Sequence, residues 1–215
     1  AEIVNEYYAA RVELDIESRQ RSVTDALNRQ VMAYAYDMLG HQIHQSSMEA
    51  GARWMLHDVA DKPIRAWDSR DHEFRTDYDA LRRPTDSFVR ERAGADVLVG
   101  RTVYGEIMVD PTANNLRGKP VQLFDQVGVV TSERFDFKGN LLRSRRQCAK
   151  EYKRSVDWSL AVPLEAGIYT SAVRRDALNR PTELTSPDNS VIRHRYSEGG
   201  LLDRVDANLR GKQHE

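Results

Sequence analysis

Short runs of alternating apolar and polar residues, interrupted at steps of roughly 8–12 positions by Asp, Gly and Asn, run through this chain and predict many short β-strands. Val191-Ile192-Arg193-His194-Arg195-Tyr196 puts Ile192, His194 and Tyr196 on one face of a strand and Arg193 and Arg195 on the other, because strand side chains alternate. Thr182-Glu183-Leu184-Thr185 precedes it across the loop Ser186-Pro187-Asp188-Asn189-Ser190, and Ser197-Glu198-Gly199-Gly200 predicts the next turn. The same scheme returns in Gln42-Ile43-His44-Gln45, a turn at Glu49-Ala50-Gly51-Ala52, the strand Arg53-Trp54-Met55-Leu56, and the run from Val129 to Phe135. No segment carries a long, capped apolar stripe at helical spacing. Glu13 to Asn28 is polar enough to tolerate helix, but Asp25-Ala26-Leu27-Asn28-Arg29 matches Asp176-Ala177-Leu178-Asn179-Arg180, so Asp25 onward reads as a turn.

Those matching turns belong to a recurring phrase: an aromatic or similar residue, Asp, two variable residues, Gly or Asn, then often a basic residue and Pro. Its clearest copies are Tyr36-Asp37-Met38-Leu39-Gly40-His41, Phe124-Asp125-Gln126-Val127-Gly128 and Phe135-Asp136-Phe137-Lys138-Gly139-Asn140. Tyr78-Asp79-Ala80-Leu81-Arg82-Arg83-Pro84 and the phrase around Asp176 are close relatives, and Trp67-Asp68-Ser69-Arg70-Asp71-His72 is a degenerate one. Asp58, Asp68 and Asp79 follow one another at steps of 10 and 11, and Asp125 to Asp136 is 11. Asp37 to Asp58 is 21, close to two units. A period of this kind means an array of similar structural pieces. Each phrase carries turn chemistry: Asp hydrogen-bonds its own backbone two residues on, and Gly or Asn tolerates a positive φ. The aromatic before Asp ends one strand and packs on a neighbour.

Composition narrows the classes. The 215 residues are 40% hydrophobic and 30% charged, enough chain to bury a core. Thirty-two Lys and Arg nearly balance 33 Asp and Glu, so no global field recruits nucleic acid or an anionic membrane. The longest apolar runs, such as Val97-Leu98-Val99, fall far below the ~20 residues of a membrane span. No signal peptide is visible, and a start at Ala1 rather than Met fits a fragment. Cys148, the single cysteine, has no partner for an internal disulfide.

Several residues invite chemical readings, and each has a simpler one. His41 and His44 have half the ligands of a metal site, but no Cys or third His has matching spacing. Asp71 with Glu73, or Asp157 beside Trp158, would supply carboxylates for glycoside hydrolysis, yet Asp here is chiefly a turn residue. Arg143, Arg145 and Arg146 would lower the pKa of Cys148, but no base accompanies it. With Lys150, Lys153 and Arg154 these arginines form the most basic run, which reads as a solvated face in the absence of interleaved aromatics. Trp54, Trp67 and the nine tyrosines would stack on carbohydrate, though alternating strand aromatics are usually packing residues.

At the recurring phrases the chain resembles an Rhs-type, or YD-repeat, protein, and is similar to the repeat shell of insecticidal toxin-complex B and C components. The most specific stretches are Asn115-Leu116-Arg117-Gly118-Lys119-Pro120 through Ser144, Tyr36 to Gly40, and Arg53-Trp54-Met55-Leu56 leading to Lys62-Pro63-Ile64-Arg65-Ala66-Trp67-Asp68. The resemblance implies an all-β array of short antiparallel strands forming part of a spiralling sheet, a shell that encloses a toxic C-terminal polypeptide until delivery. It implies a secreted or cell-surface bacterial virulence factor without catalysis or cofactor. Its partners would be the toxin polypeptide and flanking repeats of the same or a companion chain. A module recognising carbohydrate or a cell-surface partner is the alternative. The chain is far shorter than such a shell and lacks both an evident toxin domain and the region where family members cut themselves, so self-cleavage carries over to no residue. What carries over is the structural role of Tyr36, Asp37, Gly40, Tyr78, Asp79, Phe124, Asp125, Gly128, Phe135, Asp136, Gly139 and Asp176. One repeat region over residues 1–215 is expected, with insertions at 93–114 and 149–167.

Overall fold

The computed structural model describes residues 8–214. Its contacts separate two compact units, Ala1–Val97 and Leu98–Glu215. The first holds β1 (Arg11–Leu14), β2 (Gln20–Thr24), β3 (Gln30–Tyr36), β4 (Gln42–Ser47), β5 (Gly51–His57), β6 (Pro63–Asp68), β7 (His72–Tyr78) and β8 (Pro84–Glu91). Each pairs antiparallel with the next. The second holds β9 (Val97–Tyr104), a 3-10 turn at Gly105–Ile107, β10 (Pro120–Asp125), β11 (Gly128–Phe135), β12 (Leu141–Ala149), β13 (Leu164–Arg175), β14 (Pro181–Thr185), β15 (Val191–Tyr196), β16 (Leu202–Leu209) and β17 (Lys212–His214). These too pair in sequence order. The all-β, antiparallel expectation holds. The stretch that tolerated helix, Glu13 to Asn28, instead ends β1, forms all of β2 and turns twice.

Period-two alternation sorts the side chains by face. In the first unit Met55, Ala66, Phe74 and Val89 lie opposite one another on successive strands, and Trp54, Trp67, Glu73 and Arg90 line the other face. In the second unit Val173, Leu184, Ile192 and Ala207 share one face, while Arg174, Glu183, Arg193 and Asp206 form a charge ladder on the other. Arg193 Nε sits 2.8 Å from Glu183. Cross-strand pairs of this kind contribute roughly 0.2–1 kcal/mol each, and their number holds a sheet together. As the alternation predicts, Arg193 and Arg195 are exposed and Ile192, His194 and Tyr196 are partly buried.

Among the described residues burial is concentrated in the second unit. Among the described residues of the first unit, Ser22 alone is buried. In the second unit Leu98, Leu116, Val121, Val129, Phe135, Ala149, Val156 and Trp158 are buried. The connections at 105–119 and 150–163 add Leu116, Val156 and Trp158 to the buried strand residues. Leu116 packs with Val121 and Phe135, and Met108 closes on them. The Phe135 N–H donates to Asn114 O at 3.0 Å, and Asn115 Nδ2 donates to Phe135 O at 3.0 Å. From the 150–163 loop, Trp158 donates its indole N–H to Asp125 O at 3.0 Å and meets Phe124 edge-on at 5.0 Å.

Candidate functional site

The repeat turns are the most strongly specified feature of the chain. In the turns opened by Asp37, Asp79, Asp136 and Asp176, Oδ1 caps the loop from inside, and Oδ2 holds the side chain four residues on. Asp79 Oδ1 accepts the N–H groups of Leu81 and Arg83, both at 2.9 Å, while Oδ2 takes Arg83 Nε at 2.7 Å. Asp176 does the same with Leu178, Arg180 and the Arg180 guanidinium. Asp136 uses Lys138, Asn140 and the Asn140 amide, and Asp37 uses Leu39, His41 and the His41 ring. The backbone closes each loop twice, from the fourth residue N–H to the Asp carbonyl and from the Asp N–H to the fifth residue's carbonyl. This is a three-residue hairpin loop whose last residue must take positive φ. Gly40 has φ 90° and Gly139 86°, but Asn179 adopts 72° and Arg82 60°.

Asp15 and Asp58 build the same backbone loop, with Ser18 at φ 63° and Asp61 at 57°, although Asp58 Oδ2 pairs with Arg82 and not with Lys62. Asp15 is hidden in the sequence because Leu14, not an aromatic, precedes it and Ser18 stands in the fourth place. The usable signal was the cation one position later, Arg19, which binds the Asp15 carboxylate at 2.9 Å. The Asp125 phrase differs as well. Asp125 pairs directly with Gly128 across a two-residue loop, so Gly128 is a strand residue. Oδ1 accepts from Val127 and Gly128, and Oδ2 pairs with Arg146.

A tyrosine just before the first residue of a turn ties that turn to the previous turn at the same end of the strands. Tyr36 Oη–H donates to Gln20 O at 2.9 Å, Tyr78 to Pro63 O at 2.7 Å, and Tyr196 to Pro181 O at 2.9 Å. Each acceptor follows the cation of the earlier turn. Arg19 also lies 5.2 Å from the Tyr36 ring centre, and Arg180 4.2 Å from that of Tyr196. Lys138 Nζ donates to Ala177 O at 2.7 Å, and His41 Nε2 stands 3.3 Å from Asp61. Phe135 takes the same sequence position but is buried, with Lys119 Nζ 5.7 Å from its ring centre.

These bonds set the charge state of the turns. The Arg83 N–H, with the Arg83 guanidinium, holds the Asp79 carboxyl below the usual range against partial desolvation. The Arg29 guanidinium does this for Asp25, and the Asn140 amide for Asp136. A lowered folded pKa gives stability that is present above the unfolded value near 3.8 and lost as pH falls through the lower folded values. Melting temperature should therefore hold from neutral pH down to about pH 5 and fall below about pH 4. Asp79→Asn should flatten that fall. A melting temperature unchanged to pH 2.5 would contradict the assignment.

The remaining candidates are not brought together. His41 belongs to its turn, while the His44 ring lies 5.3 Å from Trp54. Among the described residues no group of three or more His, Cys, Asp or Glu side chains is placed to hold a metal ion. Asp71 is the positive-φ residue of the Asp68 turn, and Glu73 lies between Arg65 and Arg90. Asp157 accepts the Ser159 hydroxyl at 2.7 Å and the N–H groups of Ser159 and Leu98, and that hydroxyl leads the causes that lower its pKa, opposite to what a general acid needs. Cys148 stands opposite Gly128, partly buried. The basic run divides between faces: Arg143 and Arg145 pair with Glu133, and Arg146 pairs with Asp125. A hollow of about 500 Å³ lies between the Asp136 and Asp176 turns, lined by Phe137, Lys138, Leu142, Val173 and Arg175.

No protein-family model and no curated protein matches the sequence. Solved structures do match. The Photorhabdus luminescens Tc holotoxin pore superposes with a TM-score of 0.84 at 19% identity, covering 94% of this chain and 10% of that one. TcdB2-TccC3 gives 0.84 at 19% over 95% of this chain and 11% of its own, and TcdB2-TccC3 without its hypervariable C-terminal region matches equally well. The chain thus spans about one tenth of the length of the structures it matches. No helix of the described residues is long and apolar enough to cross a membrane. At this identity the likeness speaks to architecture, and the architecture is that of the toxin-complex repeat sheet, an Rhs-like shell fold.

Proposed function

We propose that this chain is a non-catalytic segment of an Rhs/toxin-complex-like shell that encloses a toxic polypeptide and helps deliver it from a secreted or surface-borne particle. The observation that carries this reading is the commitment of the repeat residues to architecture. Asp37, Asp79, Asp136 and Asp176 are used within their own loops, and Tyr36 and Tyr78 tie one loop to another. Repeat arrays act through an extended surface, and enclosure by many weak contacts asks for nothing more. The likeness to TcdB2-TccC3 supports the same role. The charge ladder of Arg174, Glu183, Arg193 and Asp206 offers a polar face to an unfolded chain, and the toxin polypeptide and flanking repeats would be its partners.

The test is a transplant. This chain would replace the matching tenth of the TcdB2-TccC3 shell, and the cargo would be challenged with protease. Correct assembly with a protected cargo is expected. An assembled particle whose cargo is digested would count against the shell role. In parallel, the purified chain would be screened on glycosidic, ester and phosphoester bonds. Turnover abolished by Asp71→Ala, Glu73→Ala or Asp157→Ala with folding intact would move the chain to the hydrolases.

A further inference from the structure

Two hollows flank the Asp136 turn in the second unit. One of about 500 Å³ lies between it and the Asp176 turn, and one of about 300 Å³ lies between it and the 105–119 connection. Phe137 and Lys138 line both. Five cations line the pair, Arg117, Lys119, Lys138, Arg174 and Arg175, against the two carboxylates of Asp136 and Asp176. Those carboxylates are used within their own loops, on Asn140 and on Arg180. Arg174 has Glu183 at 3.9 Å. Among the described residues the other four cations have no carboxylate within salt-bridge distance. Lys138 Nζ donates to Ala177 O at 2.7 Å, Arg175 donates to Asn179 O at 3.0 Å, and Lys119 Nζ lies 5.7 Å from the Phe135 ring centre. Glu106 and Asp110 of the connection line neither hollow, and Glu106 accepts the Gly118 N–H at 2.9 Å.

We propose that these hollows form an interaction surface for an acidic polypeptide segment bound in extended form. The sign follows from the four uncompensated cations, whose field the low-dielectric walls of a hollow concentrate. The length follows from the topology. The 105–119 connection and the Asp136 and Asp176 turns lie at the same end of the strands, each two strands from the next. The cations are therefore spread over about 20 Å, more than a single phosphate or carboxylate spans and about six residues of extended chain. Leu142 and Val173 line the larger hollow and Pro111 the smaller, so apolar side chains of the segment enter between its carboxylates. A single strand of nucleic acid fits less well. It stacks successive bases on aromatic side chains, and Phe137 is the one aromatic among the residues lining the hollows. The surface is also held ready: Asn140 Nδ2 donates to Asn179 Oδ1 at 2.6 Å and, with the Lys138 bond, joins the Asp136 turn to the Asp176 turn. This assignment rests on the hollows and their charges and does not depend on the shell reading.

Fluorescence anisotropy of a labelled peptide of Glu interspersed with Leu, about ten residues long, tests it on the whole chain. Saturable binding is expected at about 0.01 M salt, where the Debye length of about 30 Å lets the whole row act together, and weaker binding at about 0.15 M, where it is about 8 Å. A peptide with Gln in place of Glu should not bind. Lys119→Gln/Lys138→Gln should weaken binding about tenfold, and Arg117→Gln, which breaks no bond among the described residues, about two- to fivefold, the worth of one exposed ion pair. Lys150→Gln/Lys153→Gln removes the same charge at the opposite end of the strands and should leave binding unchanged. Circular dichroism checks the fold of each variant. Three results would overturn the proposal: no saturable binding at low salt, binding that survives the Lys119/Lys138 substitution and Arg117→Gln, or binding lost equally in the Lys150/Lys153 variant. A labelled oligodeoxythymidine that binds more tightly than the peptide, and is lost in the same variants, would assign the surface to single-stranded nucleic acid instead. Displacement of the peptide by inorganic phosphate, at an ionic strength where chloride has no effect, would reduce it to a small-anion site.

Discussion

Gly128→Val should leave the second unit largely unfolded under conditions where Gly139→Val folds. Gly128 begins β11 at φ 150° directly against β12. A Cβ there would sit 2.2 Å from Gln147 O, 2.8 Å from Cys148 Cα and 2.9 Å from Ala149 N, all backbone atoms that cannot swing away. Overpacking costs roughly 1–3 kcal/mol and backbone strain a similar amount, so a loss of about 2–6 kcal/mol is expected. Gly139 also holds positive φ, but the nearest atom to its Cβ is Lys119 Nζ, the mobile end of a long side chain. Gly139→Val should therefore cost only the turn strain, roughly 1–3 kcal/mol. Urea titrations followed by circular dichroism compare the two directly. Equal midpoints would show that the close approach of the two strands does not matter.

Trp158→Ala should be nearly as damaging. Its ring is buried, its N–H is bonded to Asp125 O, and Phe124 rests against it. Large-to-small changes at such aromatics cost about 3–5 kcal/mol. Trp158→Phe should recover most of the packing and lose the hydrogen bond, about 0.5–1.5 kcal/mol by itself. A melting temperature for Trp158→Ala within a degree or so of the parent would mean that the 150–163 loop is not part of the folded unit.

The strands and most turns could be read in the sequence because both are local. Alternation in Val191–Tyr196 reports a face, and Asp followed by Gly or Asn reports a loop whose bonds all close within five residues. Asp15 was obscured because Ser18 takes a positive φ that Gly or Asn would have advertised. The two-residue connection after Asp125 could not be told from the longer form, since both carry Asp and a later Gly. The core residues Leu116, Val156 and Trp158 were out of reach for a different reason. They sit in segments without alternation, and their burial depends on strands far away in the chain. The ties made by Tyr36, Tyr78 and Tyr196 also join residues 15 or 16 positions apart, a distance at which spacing alone names no partner.

Strand order and alignment in most β-proteins are written on the faces, because a slip of one residue would turn the apolar side chains outward. Here the carboxylates at the strand ends carry much of that information: an Asp that caps its own loop and grips the fifth residue fixes where one strand stops and the next begins. The faces are released from that duty. They can exchange charge for apolar surface, or large side chains for small ones, without disturbing which residue meets which. Two sheets specified from their margins can share only 19% identity and still superpose at a TM-score of 0.84. Its surface is then free to be fitted to whatever it contacts, while the frame that presents it stays the same.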